Sequence, residues 1–314
     1  MSERELERQR IIFAGAGEFG LPTLRALIEA GHEVVRVYSQ VDRPAGRGRK
    51  LTPTPIAQFA IEKGLDVVRT ADINAESLPP ADLLVVIAFG QKIAESVATH
   101  PRLGAVNLHS SRLPKFRGAA PINWAILAGE TVTGNSVIRL AQRMDAGAIL
   151  GQSELAIGEL ETAGELHDRL AADGAPLMLR VIEELATGRA VETVQDESKA
   201  TRALKLSREA TAIDWAKPAE ALARHVRGMY PWPGCRVSLQ DAGGAELNRV
   251  TLVRARAVGG SGKAGVITTS GAIGTGEGLL EVVEVQPEGK RAMELAAYRN
   301  GHKWEAGMRV ASIE

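Results

Sequence analysis

Asn107 and His109 stand two residues apart at the end of the apolar run Ala105–Leu108. On a strand, that spacing turns both side chains to one face. An amide and an imidazole at the carboxyl end of a buried strand are costly to desolvate unless they are used. Ligands of open α/β sheets bind at those ends. Taken alone, the pair fits equally well an exposed strand end carrying two incidental polar groups. Asp145 follows the next apolar-rich run, in VIRLAQRMDAGAIL, and precedes Ala146-Gly147. A lone Asp before such a step is usually a turn former. Together, Asn107, His109 and Asp145 supply an amide donor, an imidazole and a carboxylate, a set suited to acyl transfer onto an amine. The amide can donate to a developing oxyanion. The imidazole can move protons between amine and leaving group, with the carboxylate orienting it or stabilising its charged form. When the amine itself attacks, no Ser or Cys nucleophile is needed.

A second pattern points to different chemistry. Gly15, Gly17 and Gly20, in GAGEFG, have Gly-x-Gly-x-x-Gly spacing between a strand-like run, Ile11–Ala14, and a helix-like run, Pro22–Ala30. Such a turn lets backbone approach a phosphate at a helix N-terminus, and its partner is an acid about 20 residues on. Asp42 stands near that place, so an NAD-binding oxidoreductase and a plain strand-to-helix turn both remain open. Asp42 heads the stretch DRPAGRGRK, beyond the strand, where Arg43, Arg47, Arg49 and Lys50 crowd it. That is a poor seat for an acid meant for a ribose hydroxyl.

The elements that must position these groups follow from periodicity. Strands are expected at Ile11–Ala14, Glu33–Tyr38, Leu83–Phe89, Ala105–Leu108 and Ser136–Leu140, and helices at Pro22–Ala30, Pro55–Lys63, Pro121–Ala128 and Ala163–Ala186. Alternating strands and helices predict a Rossmann-like, doubly wound, mainly parallel sheet. DLLVVIAFG is apolar nearly throughout, as befits a strand buried on both faces. Past residue 190 the chain turns polar and loses its period, reading as a basic linker over 191–207. Lys199, Arg202, Lys205 and Arg208 fall between Ser198 and Arg208 with no acid among them. A helix at Pro218–Arg227 and the breaker PWPG lead to alternating runs at Arg236–Leu239, Val250–Ala257, Gly265–Thr269 and Leu279–Val285. These predict a small antiparallel, OB-like β-barrel over 208–314. Residues 1–190 form the first domain.

Composition narrows the classes. Lys plus Arg and Asp plus Glu both number 38, so no global field favours a polyanion and any such partner must meet a local cluster. Cys235 is the single cysteine, which rules out an internal disulfide and a multi-cysteine metal site. No apolar stretch approaches the roughly 20 residues of a membrane span. MSERELERQR mixes both charge signs and reads as neither signal nor transit peptide. A soluble, cytoplasmic protein without a metal is expected. Phe116 and Trp124 read as packing residues, and His32, His100, His167, His225 and His302 have no partner pattern.

The stretch N-x-H-x-S-x-L-P-x-x-R-G from Asn107, with the downstream D-x-G at Asp145, resembles the folate-dependent formyltransferases. Within them the chain is similar to those acting on methionyl-tRNA, through DRPAGRGRKL, KLSREATAIDW, the PWPG corner and QPEGKRAM. The resemblance implies that Asn107, His109 and Asp145 are catalytic. It implies that Ser111, Arg112, Leu113 and Pro114 contact the folate, with backbone near Ala88–Gly90 facing its pteridine. It implies 10-formyltetrahydrofolate as co-substrate, initiator methionyl-tRNA as partner, no NAD, and action as a monomer. The tRNA would meet Arg43, Arg47, Arg49, Lys50, Lys205 and Arg208, with Arg47 at the end of the acceptor stem. Arg-rich arms of this kind order on RNA. The family usually has Leu where Arg112 stands and Thr-Pro where Ala16-Gly17 stand, so the glycine spacing reads as a by-product of that substitution. A formyltransferase acting on an amino-sugar nucleotide is the nearest rival, and the basic loop argues against it because a small substrate needs no such arm. A non-catalytic RNA-binding module is a third reading.

Overall fold

The computed structural model describes residues 8–45, 48 and 50–313. The chain divides into two compact units. The first comprises Met1–Gly118, Thr133–Leu155 and His167–Arg202. Its sheet has seven strands: β1 (Arg10–Gly15), β2 (Glu33–Ser39), β3 (Val67–Arg69), β4 (Leu83–Ile87), β5 (Ala105–His109), β6 (Ser136–Arg139) and β7 (Ile149–Gln152). Their order is β7-β6-β5-β4-β1-β2-β3. The five from β3 to β5 run parallel, whereas β6 and β7 pair antiparallel at one edge. All five residues of β4 are buried, as its unbroken apolar run requires of a central strand. Helix α1 (Leu21–Glu29) follows β1, and α2 (Pro55–Glu62) begins at Thr54, whose hydroxyl accepts from Ala57 N at 3.2 Å. β3 and β7 are short edge strands without a clear alternation, and their sequences did not announce them.

The glycine turn of β1 serves packing. Gly15 pairs with Ile87 across β1 and β4, and a Cβ there would stand 2.7 Å from the Phe13 ring and 2.9 Å from the Ile87 carbonyl oxygen. Gly17 (φ −78°) and Gly20 (φ −81°) adopt backbone open to any residue. Glu18 puts a carboxylate in the first turn after the strand, which repels a phosphate. Asp42 is ion-paired to Arg69 at 2.7 Å. The dinucleotide reading therefore finds no support in this turn. The stretch after Asp42, expected as an irregular loop, contains a two-stranded ribbon, Arg43–Ala45 against Lys50–Thr52.

Helix α4 (Ala163–Ala186) follows α3 (Pro121–Leu127) and runs 24 residues with Pro176 inside it. Gly174 lets it press onto β5: a Cβ there would come 2.5 Å from Leu108 Cδ2, between the two candidate catalytic residues.

The second unit comprises Ala119–Val132, Ala156–Leu166 and Ala203–Glu314. It contains α5 (Ala219–Met229) and the antiparallel strands β8 (Cys235–Gln240), β9 (Glu246–Val258), β10 (Ile273–Gly274), β11 (Leu279–Pro287) and β12 (Arg309–Ser312), ordered β10-β11-β9-β8-β12. The segment expected as a strand at Gly265–Thr269 makes only single bridges, Val266 to Arg309 and Ile267 to Ile273. Those bridges join β12 back to β10 and nearly close the sheet into a barrel. Gly265 at φ +72° breaks the extended geometry a regular strand would need. Leu222, Val226, Val237, Leu252, Val285 and Trp304 fill the interior.

Candidate active site

β5 ends at the carboxyl edge of the sheet with Asn107 half-buried and His109 buried, 6% exposed. Register places Asn107 beside Val86 of β4 and opposite Ile138 of β6, while His109 lies opposite Ser136. The Asn107 side-chain amide makes no hydrogen bond among the described residues, so its N–H groups are uncommitted. The His109 ring bonds the Phe116 carbonyl oxygen through Nε2 at 3.0 Å. A carbonyl can only accept, so Nε2 carries a proton. Nδ1 then faces Asp145 Oδ1 at 3.7 Å. That gap is too long for a direct hydrogen bond and sets the carboxylate close enough to stabilise a charged imidazole.

Asp145 sits in the loop between β6 and β7 with φ +54°, a strained value for a non-glycine residue. Its Oδ2 accepts from Gly118 N at 2.8 Å, which fixes the carboxylate while Oδ1 looks toward His109. Phe116 also has positive φ, +61°, and its N–H donates to Thr201 Oγ1 at 2.8 Å. The 116–118 segment thus holds His109 through one carbonyl and Asp145 through one N–H.

The structure brings the three predicted catalytic residues together at one strand end. The predicted folate segment lies directly after them. Ser111 is fully buried and its hydroxyl donates to Lys115 O at 2.7 Å. Leu113 is buried; its N–H donates to Ser136 Oγ at 3.0 Å and its carbonyl accepts from Gln152 Nε2 at 2.9 Å. Pro114 is half-buried after a cis peptide bond. The Arg112 side chain alone turns outward, pairing with Glu154 at 2.6 Å. At the end of β4, Ala88 (φ +46°) and Gly90 (φ +73°) are exposed, and Gln40 Nε2 donates to the Phe89 carbonyl between them at 2.6 Å.

Of the six residues predicted to meet tRNA, Arg47 and Arg49 lie outside the described residues. Arg43 and Lys50 are exposed on the ribbon, Arg43 donating to Gln40 Oε1 at 2.6 Å. Lys205 and Arg208 are exposed in the second unit. The basic strip is not free of acids in space, since Lys199 pairs with Asp196 at 3.2 Å. Trp124 packs as expected, donating through Nε1 to Leu204 O at 2.9 Å.

Gln195 escaped the sequence reading, and Arg117, the arginine of the quoted motif, was given no role there. Gln195, 6% exposed, donates through Nε2 to the Asp145 and Gly147 carbonyls, each at 2.8 Å. Its Oε1 accepts from Arg117 Nε at 3.0 Å and Nη2 at 2.7 Å. Arg117 continues onto Glu197, and with Arg143 it draws the Glu197 carboxyl down to about 2. Nothing in the polar, aperiodic stretch around Gln195 marked it.

Comparisons with known proteins give the family. Residues 9–182 match the formyl transferase family and residues 205–303 its C-terminal domain. A methionyl-tRNA formyltransferase from Methylococcus capsulatus is 42% identical, covering 96% of this chain and 100% of that protein. Among solved structures, the N-formyltransferase from Helicobacter canadensis in complex with folinic acid and dTDP-3-aminofucose covers 88% of this chain and 98% of its own, with a TM-score of 0.66 at 14% identity. HypX from Aquifex aeolicus in complex with tetrahydrofolic acid covers 93% of this chain at 19% identity and a TM-score of 0.61, and the chain spans about half of its length, 47%. At those identities the two structures show a shared fold. With one family model matched over more than half of the chain and a relative aligned almost end to end, this chain belongs to the methionyl-tRNA formyltransferase family.

Proposed function

We propose that this chain transfers the formyl group of 10-formyltetrahydrofolate to the α-amino group of methionine carried by initiator tRNA. The observation that carries the reading is the end of β5, where an uncommitted Asn107 amide stands beside an imidazole whose Nδ1 faces a fixed carboxylate. The amine attacks the formyl carbon and a C–N bond forms. The carbonyl oxygen takes up negative charge, which the Asn107 amide stabilises. The amine's proton passes to His109 Nδ1, and the resulting imidazolium is stabilised by Asp145 at 3.7 Å. The bond from carbon to the folate nitrogen then breaks as that nitrogen receives the proton.

The backbone of Ala88–Gly90 and of Ser111–Pro114 is where the folate would lie. Ala88 and Gly90 are exposed just past Val86, the β4 partner of Asn107, and would offer their backbone to a flat heterocycle rich in donors and acceptors. Residues 1–190 would carry the reacting groups. The 191–207 segment and 208–314 would hold the tRNA, with Lys205 and Arg208 on phosphates and Arg43, Arg47, Arg49 and Lys50 toward the acceptor end. As a translation enzyme it would work in the cytoplasm, each turnover completed by one monomer.

The test is folate-dependent formylation of three amines: methionyl-initiator tRNA, free methionine and an amino-sugar nucleotide. Turnover confined to the charged tRNA is expected. Comparable turnover of the sugar nucleotide would replace this reading with that of a sugar formyltransferase.

A further inference from the structure

We propose that Gln195 is a positioning residue for formyl transfer, acting with Arg117 to hold the Asp145 carboxylate opposite His109. This deepens the catalytic reading above and rests on it. The groups involved form a closed circuit. His109 donates to the Phe116 carbonyl, and the next residue, Arg117, donates twice to Gln195 Oε1. Gln195 donates to the carbonyls of Asp145 and Gly147, and Asp145 returns to the 116–118 segment by accepting from Gly118 N. The imidazole and the carboxylate are therefore fixed to one three-residue stretch, with Gln195 closing the far side.

The Asp145 loop has reason to need such a clamp. Its residue 145 holds a positive φ, and the Asp145 and Gly147 carbonyls would otherwise turn toward solvent partners that relax the strain. A single planar amide reaches both, which ties the carbonyls on either side of Ala146 to one rigid group. Two N–H groups of a guanidinium on its oxygen polarise the amide and strengthen the bonds it donates. Arg117 can play this part because its side chain is only 9% exposed and its charge is met by Glu197. Neither Gln195 nor Arg117 is placed to touch a reacting atom, so their effect must pass through Asp145 and His109.

Gln195→Glu separates donation from space-filling. It keeps the size and the acceptor for Arg117, and it loses the N–H groups directed at the two carbonyls. The expected result is kcat lowered about 10- to 100-fold, the range for a catalytic group displaced by around an ångström, with KM for both substrates within about twofold. Arg117→Lys keeps the charge and loses the forked donation. It should show the same pattern more weakly, and the double variant should be no slower than Gln195→Glu, because both act through one loop. Circular dichroism and Tm establish that each variant is folded. Should Gln195→Glu fail to fold, the Arg117→Lys split of kcat from KM carries the test. Wild-type kcat in folded Gln195→Glu, or a change confined to KM, would overturn the proposal. His109→Ala, assayed alongside, keeps the two ideas apart. If it is inactive while Gln195→Glu is normal, only the clamp is wrong. If it is fully active, the catalytic reading fails first.

Discussion

At the scale of single residues, the site combines groups tied to backbone through one atom with an amide tied to nothing among the described residues. His109 Nε2 and Asp145 Oδ2 are committed to backbone, whereas the Asn107 amide has no partner among the described residues. Asn107→Ala should therefore leave folding intact and lower turnover about 100- to 1000-fold, the usual cost of one oxyanion donor. Near-normal turnover in a folded variant would remove Asn107 from that role. Arg112 behaves oppositely. Its side chain and that of Glu154 are 47% and 64% exposed, so their ion pair is screened by solvent. Arg112→Leu should change stability by no more than about 0.5 kcal/mol and leave the KM for folate within about twofold. A tenfold rise in that KM would give Arg112 a direct part in folate binding. The candidate catalytic residues stood out locally, Asn107 and His109 by their period of two at a strand end and Asp145 by its place after the next apolar run, and the resemblance gave them their roles. Gln195 did not stand out, because its value lies in bonds to Arg117 and Asp145, 78 and 50 positions away, and a lone polar residue in an aperiodic stretch carries no trace of distant partners.

At the scale of elements, strand ends and the loops after them set the geometry, and glycine is required where backbone meets backbone. Gly147 illustrates this. A Cβ there would overlap the Arg139 carbonyl oxygen of β6, and neither partner is a flexible side chain that could swing away. Gly147→Ala should force the loop off β6 and carry Asp145 with it. The expected outcome is a loss of stability of about 1–3 kcal/mol together with a fall in kcat, read by thermal melts and single-turnover assays. Unchanged kcat with lowered Tm would mean that Asp145 keeps its place by other means. The central strands were readable from composition, since β1 and β4 are apolar nearly throughout and β5 is apolar outside Asn107 and His109. The edge strands β3 and β7 were not, because a short strand paired on one side needs little apolar surface and leaves little pattern. The ribbon at Arg43–Ala45 and Lys50–Thr52 was hidden for a related reason: its pairing is backbone to backbone, between residues whose side chains read as a charged loop.

At the scale of the whole molecule, a net charge of zero must coexist with a polyanionic substrate. Affinity for tRNA then depends on a few local contacts rather than on a long-range field. Each phosphate neutralised contributes about −0.7 to −0.9 to the slope of log affinity against log salt. Lys205→Ala or Arg208→Ala should each weaken binding to initiator and elongator tRNAs alike and flatten that slope by about one. An unchanged slope in salt titrations would place these side chains off the RNA. The way the second unit's sheet closes has a consequence of another kind. A strand edge left open is a template for a neighbouring molecule, and closure into a barrel removes it. Here closure rests on the few bonds that residues 265–267 make to β10 and β12. Gly274 permits that seam, since a Cβ there would overlap the Lys263 carbonyl. Gly274→Val should part the seam and expose two strand edges while the first unit keeps its fold. The variant should then form concentration-dependent aggregates, visible by light scattering, under conditions where wild type stays monodisperse. A monodisperse Gly274→Val protein would show that the barrel guards its edges elsewhere.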